Sequence, residues 1–411
     1  MTKPTVVYWN NIPSPYVVGR FDAIARRGNI DFESWFNEPR EADRSWDVQE
    51  DRWQFRAHYL SRTLFAGRSL SLPLRELRER PPQLLVSLFS TPSFILGSLM
   101  ANSAGSRVAY RVLPTFDSWQ KRTNLREVTK HGLFHIVDGV KVSGPAGAET
   151  AMKYGVPAGR VFPVTQSIDV EHYSRALTMT NLERERRRAQ LKLHGTVYLY
   201  VGRLWKLKGL DYLLNAYAEV RQSIPDSSLL IIGDGVDGEY FRSRTQHVPG
   251  VTLAGFVQPA DLPEFYALAD IFVFPTLGDP HGLVVEEAMA AGLAVISSAA
   301  AGDIERRLPE GKAGFIVPPA DTSVMAQRMV QLGREPGRRH EMAQVGNRLV
   351  RFRSHEQYAE DFEEFVGTIM SLPRRQGAAP TVGRWAGAAL HSATRLVSTD
   401  PFHKGIKRTG Q

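Results

Sequence analysis

Two acids and two cations in the second half of the chain have the types and spacing to handle a charged ligand. Asp279 and Glu287 flank the point where an apolar run, residues 271–274 after Asp270, gives way through Pro275 and Gly278 to a helix-forming run closed by Gly292. An unbroken apolar run of that length reads as a strand covered on both faces. The run after it reads as a helix whose Val285, Ala288, Met289 and Gly292 share a buried face. The backbone N–H groups of Gly282 and Leu283 then open a helix at the carboxyl end of a parallel strand, a natural anion site. Glu287, four residues after Leu283, falls on that residue's side, away from the packing face. Upstream, Arg203 and Lys208 leave another strand in Gly202-Arg203-Leu204-Trp205-Lys206-Leu207-Lys208-Gly209. Arg supplies a rigid fork of donors and Lys a compact point charge. A Lys at a helix start is electrostatically disfavoured, so an anion nearby is the better explanation. Ordinary structure offers a rival account of each motif. Glu287 can simply complement a helix dipole, and Arg203 and Lys208 can be an Arg–Asp pair and a Lys at a helix start.

Such residues need a scaffold that brings strand ends together. From residue 197 strands and helices alternate, with strands at 197–201, 229–232, 251–253, 271–274, 294–296 and 314–317. Leu210, Leu213, Leu214, Tyr217 and Val220 mark the clearest helix between them. That is one doubly wound α/β domain. The first half repeats the theme, with strands at 6–9, 30–36, 84–88, 108–112 and 161–164 and helices at 16–27, 94–102 and 146–154. Between 37 and 80 the pattern breaks down into Trp46, Trp53, Phe55 and Tyr59 among many arginines, with a basic helix candidate at 72–80. This segment reads as a surface excursion with aromatic anchors, or else as an acceptor or membrane face, because basic amphipathic stretches favour interfaces. The charged run 183–188 reads as a solvated helix face. A helix at 354–370 carries Tyr358, Phe362, Phe365, Val366 and Ile369. After Pro373 the chain turns Gly-, Arg- and Ala-rich with a short helix candidate at 385–397, expected as a mobile basic tail first and a membrane foot second.

A chain of 411 residues suggests two domains of ordinary size. It has no cysteine, hence no disulfide framework and no Cys-based zinc site, which fits a reducing compartment. Met1-Thr2-Lys3-Pro4 runs straight into Val6-Val7-Tyr8-Trp9, which is no signal peptide, and the apolar window 94–100 is far too short to span a bilayer. A cytoplasmic location is expected. The net charge of +8 divides into roughly +6 up to Val170, −4 over 171–370 and +6 in the last 41 residues. A basic first half and tail suit an anionic membrane face, as a peripheral contact at its inner side, or an acidic acceptor. No recognition signature for nucleic acid occurs, so none is expected as a partner.

Asp279, seven intervening residues and Glu287, followed by Ala288-Met289-Ala290-Ala291-Gly292, resembles the acidic motif of family-4 retaining glycosyltransferases (glycosyl transferases group 1). The resemblance implies a GT-B architecture of two Rossmann-like domains facing a cleft, and a nucleotide sugar as donor substrate with no cofactor and no metal. It implies that Glu287 holds the ribose and Asp279 sits against the donor sugar, although relatives usually carry Glu at both positions. Arg203 and Lys208 resemble the pair that binds the donor diphosphate. Breaking a sugar–phosphate bond leaves charge on the departing diphosphate, which fixed cations stabilise. By the same resemblance the turn at Gly235 lies near the nucleotide, and Gly255-Phe256-Val257 and Leu262 cradle the base. His281, Gly282, Leu283 and Val284 belong to the substrate-binding loop. Gln166-Ser167-Ile168-Asp169 matches the interdomain hinge. Two positions depart from the pattern. Ser14-Pro15-Tyr16 stands where relatives place a Gly-Gly pair, and Asp117, after Leu113-Pro114-Thr115-Phe116, occupies roughly the place of a catalytic-site His.

Gly233-Asp234-Gly235-Val236-Asp237-Gly238 also matches Gly-x-Gly-x-x-Gly after a strand. It opens neither the chain's nor the domain's first βαβ unit, and no acid ends the next strand, so a dinucleotide site does not follow. The expected layout is an acceptor-side domain over 1–168, a nucleotide-sugar domain over 169–353, a helix returning to the first domain over 354–371 and a basic tail over 372–411. The expected function is sugar transfer from a nucleoside-diphosphate sugar to a glycan or lipid-linked acceptor with retention of configuration. A same-fold nucleotide-sugar epimerase and a non-catalytic nucleotide-sugar-binding protein remain as alternatives.

Overall fold

The structure, a computed structural model, describes residues 2–40, 46–65, 68–112 and 124–375. Its first half builds one all-parallel sheet. Strands β1 (Thr5–Asn10), β2 (Asp31–Phe36) and β3 (Arg56–Tyr59) are followed by a small antiparallel hairpin, β4 (Arg62–Phe65) and β5 (Arg68–Ser71). Then come β6 (Leu84–Ser87), β7 (Arg107–Val112), β8 (Gly139–Val142) and β9 (Val161–Pro163), and the sheet order is β3-β2-β1-β6-β7-β8-β9. The second half builds another parallel sheet from β10 (Thr196–Val201), β11 (Ser227–Ile232), β12 (Val251–Gly255), β13 (Ile271–Phe274), β14 (Ala294–Ser298) and β15 (Gly314–Val317), in the order β12-β11-β10-β13-β14-β15. In each sheet the chain order reverses beside the first strand, between β1 and β6 and between β10 and β13. Doubly wound sheets bind their ligands outside the carboxyl ends at such a reversal.

Every strand expected in the second half is present: β11, β13 and β14 are fully buried, β10 and β15 nearly so, and the edge strand β12 is half-buried. Besides the hairpin β4–β5, two strands of the seven-stranded sheet escape a periodicity reading. Gly139-Val140-Lys141-Val142 is short and carries a charge, and β3, Arg56-Ala57-His58-Tyr59, is a polar edge strand. The segment 37–80 is therefore more than a surface excursion: Trp53, Phe55 and Tyr59 stack into the aromatic core with Phe36 and Phe21. Its basic helix shortens to Leu74–Glu79, and Glu76 and Glu79 pair with His58 and Arg75. The charged run 183–188 is not merely solvated either. Arg184 and Arg188 both hold Asp270 at the start of β13, at 2.8 Å each, and donate to the carbonyls of Ala267, Leu268 and Ala269.

The chain crosses between the lobes twice. Going out, Ile168 N–H donates to the Arg353 carbonyl at 2.9 Å, which ties the outgoing strand to the returning one. Coming back, the helix His355–Ser371, capped by the Ser354 hydroxyl, lies against the first helix, Pro15–Arg27. Its apolar stripe, Tyr358, Phe362, Phe365 and Ile369, joins the core of the seven-stranded lobe, and Arg27 bridges Glu360 and Glu363 on its flank. Among the described residues no helix is long and apolar enough to cross a membrane.

Candidate active site between the two sheets

The carboxyl ends of both sheets border one cavity of about 700 Å³. Ser14 and Tyr16 reach it from the turn after β1, Arg203 and Lys208 from the turn after β10, and Gly235 from the turn after β11. Val257 and Leu262 line it after β12, and Asp279, His281, Gly282, Leu283, Val284 and Glu287 after β13. The structure thus brings together every singled-out residue except Asp117, which lies outside the described residues, as does the tail beyond 375.

Glu287 sits in the first turn of the helix Val284–Ala290, but not on an outward face. Every residue from Val285 to Ala290 is buried, and Glu287 is 0% exposed. The helix is enclosed within its own lobe by β13, β14 and the helices Val170–Ser174 and Pro336–Val350, and Tyr16 of the first lobe reaches the Glu287 carboxylate. Three tyrosines surround the carboxylate. Tyr266 donates to its Oε2 at 2.7 Å, Tyr16 of the first lobe donates to its Oε1, and Tyr173 stands beside them. Burial raises the Glu287 pKa above the usual carboxylate value, and the tyrosine hydroxyls only partly offset that.

Lys208 has its anion, and that anion is internal. It pairs with the Asp279 carboxylate, whose other oxygen accepts the His281 N–H at 2.9 Å. The Asp279 loop is fixed further by backbone bonds to Ala300 and Gly302. Beneath it lies a buried pair: Arg307 grips both oxygens of Glu286 at 2.6 and 2.7 Å and donates to the His281 carbonyl. Burial alone raises the Glu286 pKa, but Arg307 and His281 outweigh it and hold the carboxyl far below its usual range. His281 Nε2 approaches Glu286 at 3.4 Å, while burial and Arg307 keep the ring's pKa low and the imidazole neutral.

The glycines explain why two loops can serve one ligand. Gly233 has φ +140°, and a Cβ there would stand 1.8 Å from the Gly202 carbonyl oxygen. The Gly-rich turn is thus a close contact between the β10 and β11 turns, sealed by Leu204 N–H to the Asp234 carbonyl at 3.0 Å and Lys206 N–H to Asp237 at 2.8 Å. Gly282, at φ +75°, lets the acid loop lie flat on the Phe274 ring. Among the described residues no cluster of three or more His, Cys, Asp or Glu side chains is arranged to hold a metal ion.

Residues 195–335, which contain both cations and both acids, match the family model Glycosyl transferases group 1. Over this segment the chain is similar to group 1 glycosyltransferase domains. Across the longer chain, the spore coat protein SA of Bacillus subtilis is 32% identical over 43% of this chain and 50% of its own. The D-inositol 3-phosphate glycosyltransferase of Corynebacterium urealyticum is 27% identical over 55% of each chain. The chain thus spans about half the length of these curated relatives. Anabaena HepE, solved in complex with UDP-glucose, superposes with a TM-score of 0.73 at 16% identity, over 90% of this chain and 100% of its own. That likeness shows the fold, a GT-B arrangement of two Rossmann-like lobes.

The six-stranded lobe does not enclose its cavity alone. Arg20, Arg111, Gln166 and Trp46 of the other lobe line the opposite wall, and periodicity did not single out the two arginines. The signal for Arg20 was available: it lies in the apolar stripe of its helix, between Val17, Phe21 and Ile24, where a charge needs a reason.

Proposed function

We propose that the chain transfers a sugar from a nucleoside-diphosphate sugar to a glycan or lipid-linked acceptor, with retention of anomeric configuration. One observation carries the reading: Arg203, Lys208, Asp279 and Glu287 line a single cavity where the lobe similar to group 1 glycosyltransferase domains meets a second Rossmann-like lobe. Glu287 accepts hydroxyls already and would take those of a ribose. Arg203 and Lys208 would stabilise the charge that the departing diphosphate gains as the sugar–phosphate bond breaks, which is the part a divalent metal plays elsewhere. Two similar proteins, a glycosyltransferase by name and one solved with UDP-glucose, support the substrate class. In this reading residues 1–168 serve the acceptor, 169–353 the nucleotide sugar, 354–371 return to the first lobe, and 372–411 form a basic tail. The protein would work in the cytoplasm, with peripheral contact at an anionic membrane.

The test is a melting-temperature screen of nucleoside diphosphates and their sugars, followed by transfer assays and NMR of the product's anomeric centre. Ligands that bind the native state raise its stability, so the true donor announces itself. Retention in an acceptor-dependent product supports the proposal. Sugar-nucleotide conversion without acceptor would make it an epimerase, and tight binding without turnover on any acceptor would make it a binding protein.

A further inference from the structure

The wall opposite the six-stranded lobe holds three cations. Arg111 of β7 and Lys141 of β8 are register partners on adjacent parallel strands, so their side chains leave the same face side by side. Like charges in that position destabilise a sheet. Arg20 of the first helix joins them from above, and burial together with the neighbouring charges is severe. Arg20 is 4% exposed and Lys141 1%. Among the described residues none of the three has a carboxylate within ion-pair distance. The nearest acid acting on Lys141 is Asp361, which is itself held by Gln357 at 3.0 Å.

The three are not equally satisfied. Arg20 donates to the Ser167 hydroxyl at 3.1 Å and the Ser167 carbonyl at 2.8 Å, and lies 5.3 Å over the Tyr358 ring. Lys141 reaches the Val164 carbonyl at 3.4 Å and lies 4.9 Å from the centroid of the same ring. Among the described residues Arg111 has a single side-chain hydrogen bond, at 3.4 Å to Asn10 Oδ1. Its Nε and the Nδ2 of Asn10 are both buried without a hydrogen-bond partner among the described residues. Every group left over here is a donor, and buried donors without partners are costly. Burial, then Arg111 and Arg20, push the Lys141 ammonium well below its usual pKa, and burial brings Arg20 down to about 10. Both arginines border the cavity, whereas the hollow around Lys141 behind them has no room even for a water-sized body.

We propose that Arg111 and Arg20, backed by Lys141 and Asn10, form a subsite for an acidic group on the acceptor, a phosphate or a carboxylate. An arginine fork matches either anion in two parallel bonds, and Lys141 contributes its field without touching the ligand. The assignment to the acceptor rests on the donor reading above, because Lys208 and Arg203 line the opposite wall. The anion site itself does not depend on it.

The test uses the full chain. A panel of nucleoside diphosphates is titrated first, and the one that binds is then kept saturating so that the Lys208 side is occupied. Inorganic phosphate and malonate are titrated calorimetrically into that complex at constant ionic strength, with chloride as control. One further anion is expected to bind, and Arg111→Gln is expected to weaken it at least about tenfold, as loss of a charged hydrogen bond does. Preference for phosphate points to a phosphate-bearing acceptor and preference for malonate to a carboxylate-bearing one. Lys141→Met keeps the packing, removes the charge and is expected to lose affinity too, and it decides the matter should Arg111→Gln not fold. Unchanged nucleotide affinity in the variants shows an intact donor side. No second anion, or equal affinity in wild type and variants, overturns the proposal. If no nucleoside diphosphate binds at all, the donor reading fails. The comparison of phosphate binding to wild type and Arg111→Gln in the unliganded chain then still decides the subsite.

Discussion

The hydroxyl of Tyr16, on the first helix of the seven-stranded lobe, donates to the carboxylate of Glu287 in the six-stranded lobe, 271 positions further along the chain. Both residues line the cavity, so a ribose hydroxyl approaching Glu287 Oε1 meets a bond already made. Tyr16→Phe is expected to cost about 1–3 kcal/mol of stability, since a buried acceptor loses its donor. It is also expected to tighten nucleoside-diphosphate binding by removing the competitor. Urea denaturation and calorimetry read the two effects. An unchanged midpoint with unchanged affinity would make the contact incidental. The raised pKa of Glu287 adds a pH dependence. As pH falls through it, the carboxyl gains a proton and accepts hydroxyls less well, so nucleotide affinity should fall. The stability contribution runs the other way. For an acid with a raised native pKa, it is fully present below the unfolded pKa and is lost as pH rises through the native one.

Asp279 has both oxygens committed, one to Lys208 and one to the His281 N–H. Asp279→Asn keeps the shape, removes the counter-ion of Lys208 and should depress turnover more than nucleoside-diphosphate affinity. Asp279→Glu should also lose activity, because an added methylene overfills a loop pinned at Ala300 and Gly302. Wild-type turnover in Asp279→Asn would reduce the residue to a turn former.

Lys208→Ala should lower turnover by at least about two orders of magnitude, comparable with removing one fixed charge-stabilising donor. Excess EDTA should leave the wild-type rate intact. Loss of activity on chelation with rescue by magnesium or manganese would assign the charge role to a metal instead.

The Glu286–Arg307 pair supports the acid loop from below. Arg307→Met should cost about 3–5 kcal/mol, the usual penalty for stranding one partner of a buried ion pair. Because the native pKa of Glu286 is depressed, its contribution is present above the unfolded pKa and is lost as pH falls through the native one. The difference between Arg307→Met and wild type should therefore be full at neutral pH and shrink only in acid below the ordinary carboxylate range. Chemical denaturation at a series of pH values checks it, and a pH-independent difference would mean the pair is not ionised.

The second sheet and its four charged residues were legible because each lies on the connection that follows a buried strand, Arg203 and Lys208 after β10 and Asp279 and Glu287 after β13. The first lobe was less so. Lys141 hides β8 by interrupting its apolar pattern, yet the ammonium is buried because the closing helix brings Tyr358 over it. The inward face of Glu287 was misjudged for a related reason. Helical spacing reports which residues share a face, whereas Tyr173 and Tyr266 of the same lobe and Tyr16 of the other close over the face it leaves outward. Contacts between segments hundreds of residues apart leave no local period to read.

The closing helix has a consequence for the order in which the molecule is made. Phe21, Phe32 and Phe162 belong to strands and helices translated early, but the Phe362 and Phe365 that cover them follow the whole six-stranded lobe in the chain. Domains generally fold as units during synthesis, the earliest first. Here the schedule inverts: the six-stranded lobe can finish while the seven-stranded one still waits with its aromatic face bare. A nascent chain halted before residue 355 holds one completed lobe and one unfinished one.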